Sequence, residues 1–457
     1  MKSNNQTIKQ SNNQTIKSSI WLIGFLPFLI MGCEGGLVTD GPTIQLDPSE
    51  SVQSYQIDSE LAKKVAMGFF SEDSSFIAAR KGKPSPKIRE IARVSLADSL
   101  DFEAYVVNVM EGFVMIAGDS RVMPILAYST EGELTPEDLE TVNGLKVWYQ
   151  ETMKQIDLEL KEVRDVHPIV YNEWKKYTEE FDPTGRIWNN EVAYNPNTNC
   201  YEWYQYGQFM CSPYFSTNKR LPLYSYHPVE NSSGIKWGQS GISNYYAPSN
   251  SSCSPCNRSP IGCGAVAIAQ TLWYFRPGSY AYSSMPANSN GSCSPSGLGE
   301  FSLATLMFNS ATNANTIFNF GGCNGMTLPG YISPALEHMG MIDGGNTSNF
   351  NPSLLNNELY QGYPAIFYGH DALDEWHIWT CDGFKRHNYR SYDCDLDGCM
   401  EWSYTWYFMN WGWNDNDLNL YNSDTTTSNG YYSLGVYTPS QSSNTYNNGL
   451  KIITGIR

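Results

Sequence analysis

Apolar positions change their spacing several times along the chain, and each change marks a segment. Ile20 to Met31 is a continuous apolar run containing Pro27, preceded by Lys2, Lys9 and Lys17. It falls short of the ~20 residues that span a bilayer, but matches the apolar core of a secretory signal. Residues 34–51 are rich in Gly, Pro, Asp and Ser without periodicity and read as a tether. From Leu61 to Phe70 the apolar residues recur at helical spacing. Ala104–Val109 and Gly112–Gly118 read as two strands around a short turn, with a third at Ile125–Tyr128. Thr135 followed by Pro136 predicts a helix start, and the amphipathic pattern runs on to about Val163. Residues 52–165 therefore read as a small α+β domain. Residues 166–220, rich in Asn, Tyr and Pro, carry little periodic signal and read as a connector. Residues 221–457 hold short strands, many Gly/Asn/Ser turns and one clear helix, which predicts a second, larger α+β domain.

Composition narrows the class. Aromatics are 14% of the 457 residues and charged residues only 16%, which suits a β-rich body better than a helical bundle. A net charge of −17 argues against nucleic acid or an anionic membrane surface as a partner, because like charges repel. The 11 cysteines suggest an oxidising compartment. Three local pairs stand out: Cys200 with Cys211, Cys253 with Cys256, and Cys394 with Cys399. Disulfides are the expectation. A zinc site is the competing reading, weakened because the spacings do not match each other as two knuckles would. The apolar leader ends in Gly32-Cys33, a small residue before a cysteine, as in a bacterial lipobox. Cys33 is then the lipidated first residue of the mature chain, and residues 1–33 the signal. A seven-residue repeat, SNNQTIK at 3–9 and 11–17, lies inside that leader and carries no function.

Gly262-Cys263-Gly264-Ala265 opens the clear helix. A thiolate is the nucleophilic form of cysteine, and the partial positive charge of a helix N-terminus favours it. The flanking glycines let a substrate backbone come close. Of six histidines, His377 heads a strand-like run, His377–Phe384, and is the candidate base; His370, in a loop-like stretch, is the runner-up. Asn410 within Asn410-Trp411-Gly412-Trp413 is suited to fixing an imidazole tautomer, with indoles shielding it from water. Gln239, in Trp237-Gly238-Gln239, is a candidate oxyanion donor beside the Cys263 N–H. Asp393-Cys394-Asp395-Leu396-Asp397-Gly398 resembles the start of a calcium loop, but position twelve is Tyr404 rather than Glu, so a bridged acidic turn is preferred. No metal or other cofactor is expected.

Taken together these motifs resemble the streptopain family of papain-like cysteine peptidases. Members show Trp-Gly-Gln, then Gly-Cys-Val-Ala-Thr-Ala-x-Ala-Gln, then His-Ala-x-x-x-Asp-Gly, then Asn-Trp-Gly-Trp. Here they read Trp237–Gln239, Gly262–Gln270, His377–Gly383 and Asn410–Trp413, in the same order. Tyr105–Asn108, Gly112–Arg121 and Ile125–Ser129 resemble the family's inhibitory propeptide. The resemblance implies an α+β, papain-like two-subdomain peptidase at 221–457, preceded by a propeptide at 52–165 and an activation segment at 166–220. It implies Cys263 as nucleophile, His377 as base, Gln239 as oxyanion donor, and Trp411 or Asn410 as support for the histidine. Trp376 and Trp413 are expected to line the substrate site. Two departures bear on preference: Gly264 replaces the usual Val, and Trp376 stands where members often have Gly. The implied partners are protein or peptide substrates and the chain's own propeptide, with membrane contact only through the lipid anchor. The implied location is the cell envelope or the medium. Rival readings are an inactive surface-binding homologue and a Cys-His amidase or acyltransferase.

Overall fold

The computed structural model describes residues 55–73, 77, 86–96, 102–110, 112–163, 166–178, 193–195, 200–205, 208–212, 214–220, 234–289, 292–370, 376–393, 399–412, 428–438 and 449–457. The leader with Cys33, the tether, Trp413 and residues 394–398 of the acidic turn lie outside them.

The first helix, α1 (Ser59–Glu72), starts where the Asp58 carboxylate accepts from the Leu61 N–H at 2.8 Å. Its helical spacing buries Ala62, Val65, Ala66, Phe69 and Phe70. Strands β1 (Ile88–Ser95), β2 (Glu103–Val109), β3 (Gly112–Ala117) and β4 (Ile125–Ser129) follow as an antiparallel meander. The last three are the strands read from the sequence. β1 was not, because its exposed edge carries a mixed polar pattern, IREIARVS. Thr135 and Asp138 bond reciprocally, Thr135 N–H to Asp138 Oδ2 at 2.7 Å and Asp138 N–H to Thr135 Oγ1 at 3.2 Å. The helix expected there breaks at Val142, whose extended backbone separates one turn, Asp138–Thr141, from α2 (Asn143–Glu162).

The connector is more ordered than its composition suggests. His167-Pro168 opens α3 (Pro168–Tyr177), the His167 ring accepting from the Ile169 N–H at 3.2 Å. Four strands follow: β5 (Ala193–Asn195), β6 (Cys200–Gln205), β7 (Gln208–Ser212) and β8 (Tyr214–Arg220). Cys200 and Cys211 stand on adjacent strands, β6 and β7.

Beyond it the helical part comprises α4 (Cys263–Phe275), α5 (Leu298–Asn313), a two-stranded hairpin of β9 (Ile317–Phe318) and β10 (Gly325–Met326), and α6 (Ile332–His338). The sheet part comprises β11 (Gly344–Asn349), α7 (Pro352–Gln361), β12 (Ala365–His370), β13 (Trp376–Asp393), β14 (Cys399–Asn410), β15 (Gly430–Ser433) and β16 (Lys451–Ile456). The fold is α+β, as expected. Its main sheet runs β1-β2-β3-β4-β15-β14-β13-β12-β16-β11, with β7 and β8 added to β13. The join between the two sequence domains is Tyr431↔Tyr128 and Tyr432↔Ala127. Residues 53–457 thus pack as one compact unit through a shared sheet.

Helix α2 ties the N-terminal domain to the body along its whole length. The Trp148 indole N–H donates to the Ser433 carbonyl at 2.7 Å, and Thr152 Oγ1 meets the Tyr437 hydroxyl at 3.0 Å. Burial of each aromatic of this size contributes roughly 1.5–3 kcal/mol. Glu159 Oε2 accepts from the Tyr437 N–H at 2.9 Å and its Oε1 from Gln155 at 2.7 Å. Burial outweighs those bonds and pushes the Glu159 carboxyl up to about 7. A carboxyl whose folded pKa lies above its unfolded value stabilises the fold most below about 4.5, and that stability is lost as pH rises to about 7. In a Cys263→Ala background, the thermal midpoint of Glu159→Gln relative to the parent should therefore climb between those pH values and level off above. The full span corresponds to roughly 3 kcal/mol. A pH-independent difference would count against the assignment.

The cysteines correct the local pairing. Cys253 bonds Cys323 and Cys256 bonds Cys293, closing separations of 70 and 37 residues. Neither bonds the other, and neither is available to zinc. Long closures restrict the unfolded chain more than a three-residue one does, and each contributes about 4 kcal/mol in all on a chain-entropy argument. They staple the turn before α4 to the β9–β10 hairpin and to the segment before α5.

Candidate active site

Helix α4 begins at Cys263 because Gly262 can take φ +94°. A Cβ there would lie 2.6 Å from the Gly325 carbonyl oxygen. Gly264 has a different reason. A Cβ on it would meet the Thr327 side chain at 2.6–2.8 Å. Thr327, held by a 2.7 Å hydroxyl contact with Thr316, fills the space that a valine at 264 would need. The departure at 264 is thus a packing exchange beside the thiol.

Cys263 is unbridged and half-buried. Burial pushes its thiol up to about 11, although the backbone N–H groups of Ile378, Gly264 and Cys263 itself favour the thiolate. The Ile378 N–H belongs to the residue after His377. The helix N-terminus and the start of β13 therefore meet at the sulfur.

His377 is buried, 1% exposed. Its Nε2 lies 2.9 Å from the Trp411 carbonyl oxygen. A carbonyl only accepts, so the neutral ring carries its proton on Nε2 and leaves the Nδ1 lone pair to act as a base. Burial pushes the imidazole down to about 4, partly offset by that bond. Burial thus favours the neutral thiol and the neutral imidazole in the full-length chain. The cause is desolvation. Part of the cover is α2: a Cβ at Gly144 would lie 2.4 Å from His377 Cδ2 and 2.8 Å from Trp411 Cε3. Only a glycine lets that helix touch both rings.

The Gln239 loop is pinned from both sides. Gly238 N–H donates to Ser289 Oγ at 3.0 Å, and Ile261 N–H to the Gln239 carbonyl at 2.9 Å, two residues before Cys263. Gly241 takes φ +73° where a Cβ would stand 2.5 Å from the Ser289 carbonyl. Gln239 is itself buried. Of the two candidates for supporting the histidine, Trp411 reaches the imidazole through its carbonyl. The Asn410 amide instead bonds Gln270 Nε2 at 3.0 Å, Gly412 N–H at 3.2 Å and the Ile235 carbonyl at 3.1 Å. Trp376 is 45% exposed at the strand start, 4.8 Å from the His370 ring and 6.0 Å from the Tyr368 ring. His370 ends β12, the strand next to the one that carries His377, and its ring meets Trp376 at a tilt.

Three residues of the site have no role in the sequence reading. Gly144 was legible only as a glycine inside a helical pattern, a signal of close approach. Gln270 was legible as the lone amide in an apolar helix. Thr327 left no signal.

Residues 54–156 match the family described as Spi protease inhibitor, and Gly144 lies within the match. An inhibitor-family domain thus precedes, on one chain, a body carrying a helix-start thiol and a strand histidine. That is the organisation of a protease precursor. Among solved structures, a fragment of Prevotella intermedia prointerpain A is similar at 15% identity, with a TM-score of 0.43, 80% of this chain covered and 98% of that one. The active wild-type interpain A cysteine protease of the same organism is similar at 18% identity, with a TM-score of 0.32, covering 48% and 91%. No curated protein matches the sequence.

Proposed function

We propose that the chain is a streptopain-type cysteine endopeptidase zymogen, with residues 52–165 as its propeptide, 166–220 as its activation segment and 221–457 as its peptidase. The observation that carries this reading is the meeting at Cys263. The helix-start sulfur receives the Ile378 N–H, next to His377, while an inhibitor-family helix presses Gly144 on the imidazole. Removal of that helix readmits water, lowers the thiol and raises the imidazole. His377 Nδ1 then takes the Cys263 proton, and the thiolate attacks the peptide carbonyl. The Cys263 N–H and the Gln239 amide stabilise the oxyanion. His377 returns its proton to the leaving amine, and water, deprotonated by the same ring, hydrolyses the acyl-enzyme. Trp376 and Trp413 line the substrate site. A signal at 1–33 exports the chain, and Cys33 carries its lipid.

Iodoacetamide labelling of Cys263, read by mass spectrometry before and after self-processing, tests the reading. A thiol at about 11 is thiolate in about one molecule in 10⁴ at pH 7. Labelling should quicken at least about 100-fold on processing, and should end peptide hydrolysis. Equal rates in both forms, or hydrolysis that survives labelling, would refute it.

A further inference from the structure

Gln270 lies two helical turns beyond Cys263, and so on the same face of α4. It is wholly buried, as is Thr380, and Asn410 nearly so. Thr380 and Asn410 stand directly opposite each other on β13 and β14. The Gln270 amide spans the pair. Thr380 Oγ1 donates to Gln270 Oε1 at 2.6 Å, and Gln270 Nε2 donates to Asn410 Oδ1 at 3.0 Å.

The orientation of every group follows from one fixed donor. The Gly412 backbone N–H can only donate, so the Asn410 atom it meets at 3.2 Å is the carbonyl oxygen. The Gln270 atom facing that oxygen is then its NH2, and its own oxygen faces the Thr380 hydroxyl. The Asn410 NH2 is left to donate to the Ile235 carbonyl at 3.1 Å. Each bond ends beside a group proposed for the chemistry. Thr380 is three residues after His377. Asn410 precedes Trp411, whose carbonyl holds the imidazole. Ile235 precedes Gln239 by four.

We propose that Gln270 is a positioning residue for peptide hydrolysis, setting through its amide the distance between the Cys263 helix and the strands that hold His377 and Trp411. It touches no reacting atom, and the proposal rests on the protease reading above. Asn410 then serves catalysis through this amide chain and its turn with Gly412. A mismatch of about 1 Å between nucleophile and base costs on the order of 10²-fold in rate.

The test compares wild type, Gln270→Met and Gln270→Glu after self-processing, with kcat counted per alkylatable Cys263. Methionine keeps the volume and loses both bonds. Its kcat should fall roughly 10- to 100-fold with KM little changed. Glutamate gives a signature that a purely structural role lacks. Ionised, it faces Asn410 Oδ1 with a second acceptor; protonated, it donates as the amide did. The ratio of Gln270→Glu to wild-type kcat should rise at least about tenfold from pH 8 to pH 5. The same ratio decides the matter if Gln270→Met fails to fold. A ratio flat with pH, or Gln270→Met within about twofold of wild type, overturns the amide bridge alone. A wild type inert toward peptides overturns the protease reading and the bridge with it.

Discussion

Cys263→Ala is expected to leave the full-length chain uncut and to lower peptide hydrolysis by about 10⁴-fold or more. That is the scale on which an acyl-transfer enzyme depends on its nucleophile. The fold should tolerate the change. The sulfur is unbridged, and its partners are backbone N–H groups of residues already held by α4 and β13. A thermal midpoint within a few degrees of wild type would show that chemistry, not folding, was lost. His377→Ala should show a loss of similar size, because nucleophile and base act as a unit, and the double variant should be scarcely worse than either single one. Processing that continues at the wild-type rate in Cys263→Ala, with purified protein and no added protease, would remove the basis for the assignment. Losses that simply multiply in the double variant would separate the two residues and leave the thiol acting without this histidine.

Substitution of Gly144 should do the opposite and hasten self-processing. An alanine Cβ cannot enter the 2.4 Å gap to His377 Cδ2 unless α2 or the imidazole moves. The imidazole is held by the Trp411 carbonyl, and Trp411 is buried behind it. The helix must give way. Overpacking of this kind costs about 1–3 kcal/mol, which corresponds to roughly 5- to 150-fold in the equilibrium between covered and open sites. Alanine improves intrinsic helix propensity by about 1 kcal/mol over glycine. A faster cut would therefore reflect lost docking and not a weaker helix. The rate of appearance of mature enzyme, followed with Cys263→Ala/Gly144→Ala as the uncut control for stability, measures it. Unchanged processing kinetics would mean that α2 is not what holds the histidine out of use.

Much of this site was readable as local pattern. Gly262-Cys263-Gly264 announced a helix start at a thiol because glycine and small residues have few other reasons to flank a cysteine there. His377 and Asn410-Trp411 stood out because polar residues inside aromatic strands need partners. The β2–β4 meander was visible from alternation and turns. β1 and α3 were not, since their boundaries rest on one edge pairing and one histidine cap. The cysteine pairing misled because proximity in sequence says nothing about which loops a fold brings together.

Local chemistry along the chain determined the helix that presents Cys263, the strand that begins beside His377, the mixed α+β character and the kinds of group available for catalysis. Those depend on neighbours a few residues apart, which any reader of periodicity can see. Tertiary structure alone decided that the Trp411 carbonyl, and not Asn410, meets the imidazole, that Gln270 bonds both Thr380 and Asn410, and that burial pushes the thiol up and the imidazole down beneath Gly144. Desolvation and hydrogen-bond partnership depend on what packs across the sheet, hundreds of residues away in sequence, and no local pattern encodes them.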